Sequence, residues 1–167
     1  MEEIIMNLTT ALASGLAGPV GLVASSYIVE AMRSAPKQPE RLSWAPELPI
    51  HYADIGGVKV RYIKTGTGPN LVLLHTLRTH LDIFQGVIPQ LARHFTVYAY
   101  DYPGHGWSDI PQADYAPEDF YKWTAAFLDR LDIKQATIVG VSIGATIALV
   151  LAALVRPSRT EVPSHAA

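Results

Sequence analysis

No cysteine occurs among the 167 residues, and that single absence excludes a disulfide scaffold, a Cys-ligated zinc site and a cysteine nucleophile. Basic residues are not in excess either: thirteen Lys and Arg face fifteen Asp and Glu, for a formal charge of −2, with no cationic run that could track a phosphate backbone. Nucleic-acid binding therefore has no electrostatic support. Charged residues make up only 17% of the chain against 49% hydrophobic, which excludes a solvated disordered segment and leaves enough apolar side chains for a core. The length suits one domain with a leader or tail. No metal constellation and no phosphate-cradling loop stands out, so neither a metal nor a cofactor is expected.

A longer absence lies at the N-terminus, where no charged residue occurs from Ile4 to Val29. That is long enough to cross a bilayer as a helix, although Asn7, Thr9, Thr10, Ser14, Ser25 and Ser26 dilute it and Gly15, Gly18, Pro19 and Gly21 weaken its helix propensity. The opening Met1-Glu2-Glu3 lacks the cationic start of an export signal. Acids before the stretch and Arg33, Lys37 and Arg41 after it would leave the body of the chain on the cytoplasmic side. Residues 1–33 thus read either as a membrane anchor or as a surface-docked leader of a cytoplasmic protein. Residues 34–49, with Pro36, Pro39, Pro46 and Pro49, read as a semi-extended linker. The globular body is expected over 50–155, and 156–167 as an irregular tail.

Within the body, Tyr52 to Ile55 and Val58 to Ile63 are β-rich runs joined by Gly56-Gly57, a hairpin signal. Leu71 to Leu74 is a continuous apolar run of the kind found in strands covered on both faces. Leu81, Phe84, Val87, Ile88 and Leu91 recur at helical spacing, and Phe95 to Tyr100 reads as another buried strand. Ala116-Pro117-Glu118-Asp119 opens a helix, with Pro at its first position and acids in its first turn, and Phe120, Trp123, Phe127, Leu128 and Leu131 form its inner face. Ala136 to Val141 is a fifth strand, and a helix of small and apolar residues runs from Ile143 to about Val155. Alternating strands and helices predict an α/β fold: a three-layer α/β/α sandwich, mostly parallel, with an antiparallel N-terminal hairpin.

At the last strand-to-helix junction stands Gly140-Val141-Ser142-Ile143-Gly144. A Gly-x-Ser-x-Gly string gains meaning from that context, because a tight strand-to-helix turn holds the serine in a strained conformation at the carboxyl end of a sheet. A helix N-terminus then lies beneath the hydroxyl to favour developing negative charge. The rival reading is a serine that only caps the helix. The chain from about Tyr52 to Ala153 resembles the N-terminal half of an α/β-hydrolase. The opening hairpin, Leu73-Leu74-His75, the string Asp101-Tyr102-Pro103-Gly104-His105-Gly106-Trp107-Ser108-Asp109 and the Ser142 turn occur in that family's order. The resemblance implies a serine hydrolase of ester- or amide-type carbonyl substrates, in which Ser142 is the nucleophile and the Ile143 N–H one oxyanion donor. A second donor would come from the loop after His75, as Leu77 N–H or Thr76 N–H.

The sequence departs from the family in that loop, since β-branched Thr76 stands where relatives usually carry glycine and resists a positive φ. Arg78 and His80 in the same loop read as solvated residues, with contact to an anionic or polar substrate group as the other option. His105, Asp101 and Asp109 read as turn and hydrogen-bonding residues, His75 as a satisfied buried histidine, and His51 and His94 as surface residues. After Ser142 the only acid is Glu161 and the only histidine His165, both in a tail without strand pattern. The family's order of serine, acid, histidine is formally kept, but nothing in the pattern would hold that pair beside Ser142. The expectation is accordingly a C-terminally truncated α/β-hydrolase, inactive by itself. The alternative is a non-catalytic, membrane-tethered module of the same fold, and a perhydrolase is a further option of the scaffold. A dehalogenase is disfavoured, because that chemistry uses a carboxylate where Ser142 stands. The partners implied are a small-molecule substrate and, through residues 1–33, a membrane; the sequence sets no oligomeric state. An unpaired strand edge would leave the chain poorly soluble.

Overall fold

The structure is a computed structural model and describes residues 19–33 and 37–154. The chain divides into two compact units, Met1–Gln38 and Pro39–Ala167. The first holds helix α1, Pro19–Met32, whose 14 residues span about 21 Å at 1.5 Å per residue, short of a hydrocarbon core of roughly 30 Å. Among the described residues no helix is long and apolar enough to cross a membrane. The anchor expected from Ile4 to Val29 is therefore not found in its described part, and residues 4–18 lie outside the described residues.

The second unit is built on a five-stranded sheet of β1 (His51–Asp54), β2 (Lys59–Thr65), β3 (Asn70–Leu74), β4 (Thr96–Tyr100) and β5 (Thr137–Gly140), in spatial order β1-β2-β4-β3-β5. The β1–β2 hairpin forms as the sequence predicts: Ile55 N–H donates to Val58 O at 2.9 Å, and Gly56 and Gly57 take φ of +69° and +86°. The β2–β4 ladder is antiparallel too, whereas β3 runs parallel to both β4 and β5, so the described sheet is mixed.

Side-chain alternation along the buried strands divides the core into two layers. Val72, Leu74, Tyr98 and Tyr100 face helix α3 (Pro117–Arg130) and helix α4 (Ile143–Leu154), packing with Phe120, Phe127, Ile147 and Leu151. Leu71, Leu73, Val97 and Ala99 face the other way, onto Leu81, Phe84 and Ile88. Helix α3 starts as expected, with Pro117 in its first turn and the Asp119 carboxylate accepting from Ala116 N–H at 3.0 Å. Its buried face includes Thr124, whose hydroxyl donates to Phe120 O and meets the Tyr100 hydroxyl, both at 2.7 Å.

Two expectations are corrected here. The single helix suggested by Leu81 to Leu91 is a 3₁₀ turn, Leu81–Phe84, followed by the one-turn α2, Ile88–Leu91. Pro89 has no N–H to continue a helix through that point, and Gly86 sits at the break. The stretch read as a linker up to residue 49 is not one in its second half. Leu42 and Ala45 are buried in the second core layer, Trp44, Leu48 and Ile50 pack against it, and the Trp44 indole N–H donates to Asp82 at 2.7 Å. Residues 39–49 are thus a strap across one face of the sheet, and the compact body begins near Pro39 rather than at residue 50.

Candidate active site

The β3–β5 ladder ends with Leu74 opposite Gly140, and Val141 N–H donates to Leu74 O at 3.0 Å. The two chains therefore leave the carboxyl end of the sheet side by side, one into His75-Thr76-Leu77 and the other into Val141-Ser142-Ile143. Close approach here depends on both glycines of the turn. A Cβ on Gly140 would collide with the Gly144 backbone, and one on Gly144 with the carbonyl of Leu74.

Ser142 is exposed and holds φ at +55°, a left-handed value unusual for a residue with a Cβ. An N-capping serine sits in the extended region, so this is the geometry of a strained strand-to-helix turn and not of a simple cap. Ile143 is the first residue of α4, where a backbone N–H has no intrahelical acceptor, and the next two N–H groups, of Gly144 and Ala145, donate to Val141 O and Ser142 O at 3.0 and 2.9 Å.

Across from it runs the loop after β3. Thr76 is outside the left-handed region, and Arg78 is in it, at φ +59°. Leu77 and Arg78 form the exposed crest of the loop, while both of its flanks are tied down. On one flank His75, fully buried, has Nδ1 2.7 Å from Thr76 O, and its Nε2 accepts from Tyr102 N–H at 3.0 Å. On the other, Leu81 N–H donates to Asp101 at 2.7 Å. His80 Nδ1 lies 2.8 Å from the Asp82 carboxylate, close enough for an ion pair but outside hydrogen-bond geometry.

Asp101 is the hub the motif string only hinted at. Its buried carboxylate also accepts from Trp107 N–H at 3.0 Å and from the Arg61 guanidinium at 3.2 Å. Burial raises its carboxyl above the ordinary value, while those donors and Arg61 pull it back down. Ser108 completes the link, donating to Asp101 O at 2.7 Å and accepting from Arg61 N–H at 2.9 Å. Arg61 and Thr124 are buried polar residues that sequence reasoning missed, although Thr124, four after Phe120 and three before Phe127, falls on the inner face by helical spacing. His105 is half-buried between the rings of His75, Tyr102, Tyr115 and Phe120, with Nδ1 3.1 Å from Pro103 O, a turn residue as expected. Glu161 and His165 lie outside the described residues. Among the described residues no group of three His, Asp or Glu side chains could hold a metal.

Comparison with known proteins agrees with this architecture. A family described as the alpha/beta hydrolase fold matches residues 69–161. An uncharacterized protein of Mycobacterium tuberculosis is 35% identical over 100 residues, covering 60% of this chain and 29% of the relative. A haloalkane dehalogenase of Mesorhizobium japonicum is 33% identical over 132 residues, covering 77% of this chain and 41% of the relative. The crystal structure of an enol-lactonase from Burkholderia xenovorans superposes with a TM-score of 0.59 at 32% identity, over 62% of this chain and 41% of that one. The matched stretch spans well under half the length of these relatives. With more than half of its residues matched and the strand-turn-helix geometry in place, the chain belongs to the alpha/beta hydrolase fold family.

Proposed function

We propose that this chain carries the nucleophile and the oxyanion donors of a serine hydrolase acting on ester- or amide-type carbonyl substrates. The observation that carries the reading is the strained, exposed Ser142 at the head of α4, beside the loop after β3. In that reading Ser142 Oγ bonds to the carbonyl carbon, and the carbonyl oxygen takes the negative charge. The N–H groups of Ile143 and of the Thr76–Leu77 stretch receive it, and the hydroxyl proton passes to a base. His75 and His105 each have Nδ1 against a backbone carbonyl, of Thr76 and of Pro103, and neither is assigned as that base.

The dehalogenase relative is a weaker guide to chemistry than to fold. A serine hydroxyl displacing halide from an alkyl carbon would leave an ether. An ether has no carbonyl for water to attack, so no turnover would follow.

The test is labelling of the full chain with a fluorophosphonate ester, followed by intact-mass and peptide analysis. A single adduct on Ser142, absent from Ser142→Ala, is expected if the serine is activated. No adduct at Ser142 under conditions that label a serine-hydrolase control would overturn the reading and favour a non-catalytic member of the fold.

A further inference from the structure

We infer that His75 is a positioning residue that turns the Leu77 N–H, rather than that of Thr76, toward the oxyanion position beside Ser142. The inference rests on the serine-hydrolase reading above and deepens it. The partners of the imidazole fix its tautomer. Tyr102 N–H can only donate, so Nε2 is an unprotonated acceptor at 3.0 Å. Thr76 O can only accept, so the proton is on Nδ1 and is donated across 2.7 Å. Thr79 Oγ1 donates to the same carbonyl at 2.8 Å, so Thr76 O is held from two sides.

That carbonyl sets the direction of the next amide. In a trans peptide the C=O of residue 76 and the N–H of residue 77 point to opposite sides of the chain. With Thr76 O drawn inward to the buried ring, Leu77 N–H faces away from it, on the exposed side of the loop. The same imidazole joins this loop to the start of the loop after β4, so the donor is referenced to the sheet at two points.

The groups around the ring favour the neutral form the arrangement needs. Tyr102 and His105 face it with ring centroids 4.3 Å and 5.5 Å away, and His80 adds a further unfavourable charge when protonated. No carboxylate is among the groups that act on it. Burial pushes the imidazole down to about 4, against the Thr76 carbonyl, which pulls it up, and with a smaller downward push from His105 and His80.

The test uses selectively ¹⁵N-histidine-labelled full chain, with His75→Phe and His75→Asn beside it. Phe keeps the ring's packing but neither hydrogen bond, while the Asn amide can still donate to Thr76 O. In the wild type, nitrogen shifts at neutral pH are expected to give a protonated Nδ1 and a bare Nε2; the opposite tautomer would overturn the inference. Phosphonylation of Ser142 is expected to fall about 10- to 100-fold in His75→Phe, less than the roughly 100- to 1000-fold of removing an oxyanion donor because the amide is misdirected and not removed, and to recover most of the way in His75→Asn. A wild-type rate in folded His75→Phe would overturn it. If Ser142 is not labelled even in the wild type, the nucleophile reading fails, and the Leu77 amide resonance, followed in uniformly ¹⁵N-labelled samples of the same three proteins, decides the role of His75. A shift in His75→Phe that is restored in His75→Asn upholds the positioning role, and an unmoved resonance sinks it.

Discussion

A side chain at φ +55° costs on the order of 1 kcal/mol relative to glycine, and Ser142 carries that cost where the chain turns from β5 into α4. Replacing it by glycine removes the Cβ strain but loosens the unfolded chain, which offsets part of the gain. Ser142→Gly is therefore expected to raise stability by about 0.5–1 kcal/mol, or a few degrees in melting temperature, while abolishing phosphonate labelling. Ser142→Ala keeps the Cβ and should melt within a degree or so of the wild type. Calorimetry on the three proteins separates backbone strain from the hydroxyl, and equal melting of the Gly and Ala variants would remove the strain argument. His75 makes a second prediction at this scale. Its folded value near 4 lies below the unfolded 6.5, so its contribution is complete above pH 6.5 and is lost as pH falls toward 4. The loss is on the order of 3 kcal/mol if the shift is fully expressed. Asp101 acts in the opposite sense, since its raised carboxyl favours the folded state at low pH. Urea midpoints at pH 7 and pH 4.5 should therefore fall more steeply in the wild type than in His75→Asn. Parallel losses in both would assign the acid sensitivity to other groups.

Among the elements, the hairpin, the buried strands, α3 and α4 were legible because each carries its own local signal: Gly56-Gly57, continuous apolar runs, and Pro117 ahead of two acids. The Gly-x-Ser-x-Gly turn was legible for the same reason, since the glycines are required by contacts within a few residues and with the adjoining strand. What could not be read depends on distant partners. Asp101 meets Leu81, Trp107 and Arg61 from three separate segments, and Arg78, not Thr76, takes the left-handed conformation with no mark in the string. The strap of residues 39–49 has neither period two nor period 3.6, and its prolines mask the apolar signal of Leu42, Trp44 and Ala45. Its packing makes a clear prediction. Leu42 is 2% exposed against Leu71, Leu73 and their neighbours, so Leu42→Ala should cost about 2–4 kcal/mol by denaturant unfolding. A true linker would lose almost nothing. Exposed Glu40→Ala in the same strap is the control, expected within about 0.5 kcal/mol of the wild type.

For the molecule as a whole, the described sheet has one margin that is poorly protected. Strand β5 pairs with β3 alone and carries Thr137-Ile138-Val139-Gly140, with no charge or proline to discourage a further strand. Val139 and Val141 are 46% and 45% exposed, and Leu149 on α4 is 72% exposed. Free N–H and C=O groups along β5 together with these side chains form a template for pairing between copies. The 167-residue chain is accordingly expected to self-associate, its elution volume in size-exclusion chromatography falling as concentration rises from about 10 to 200 μM, the range over which exposed edges drive aggregation. Charges should act on this without touching the fold, because the affected side chains already face solvent. Val139→Lys with Leu149→Glu is expected to return the chain toward a monomer volume and leave its melting temperature within a few degrees. If the wild type elutes as a monomer at every concentration, the margin of β5 is covered in solution by a part of the chain other than the described residues. Association that persists in the double variant would instead point to a surface away from β5 and α4.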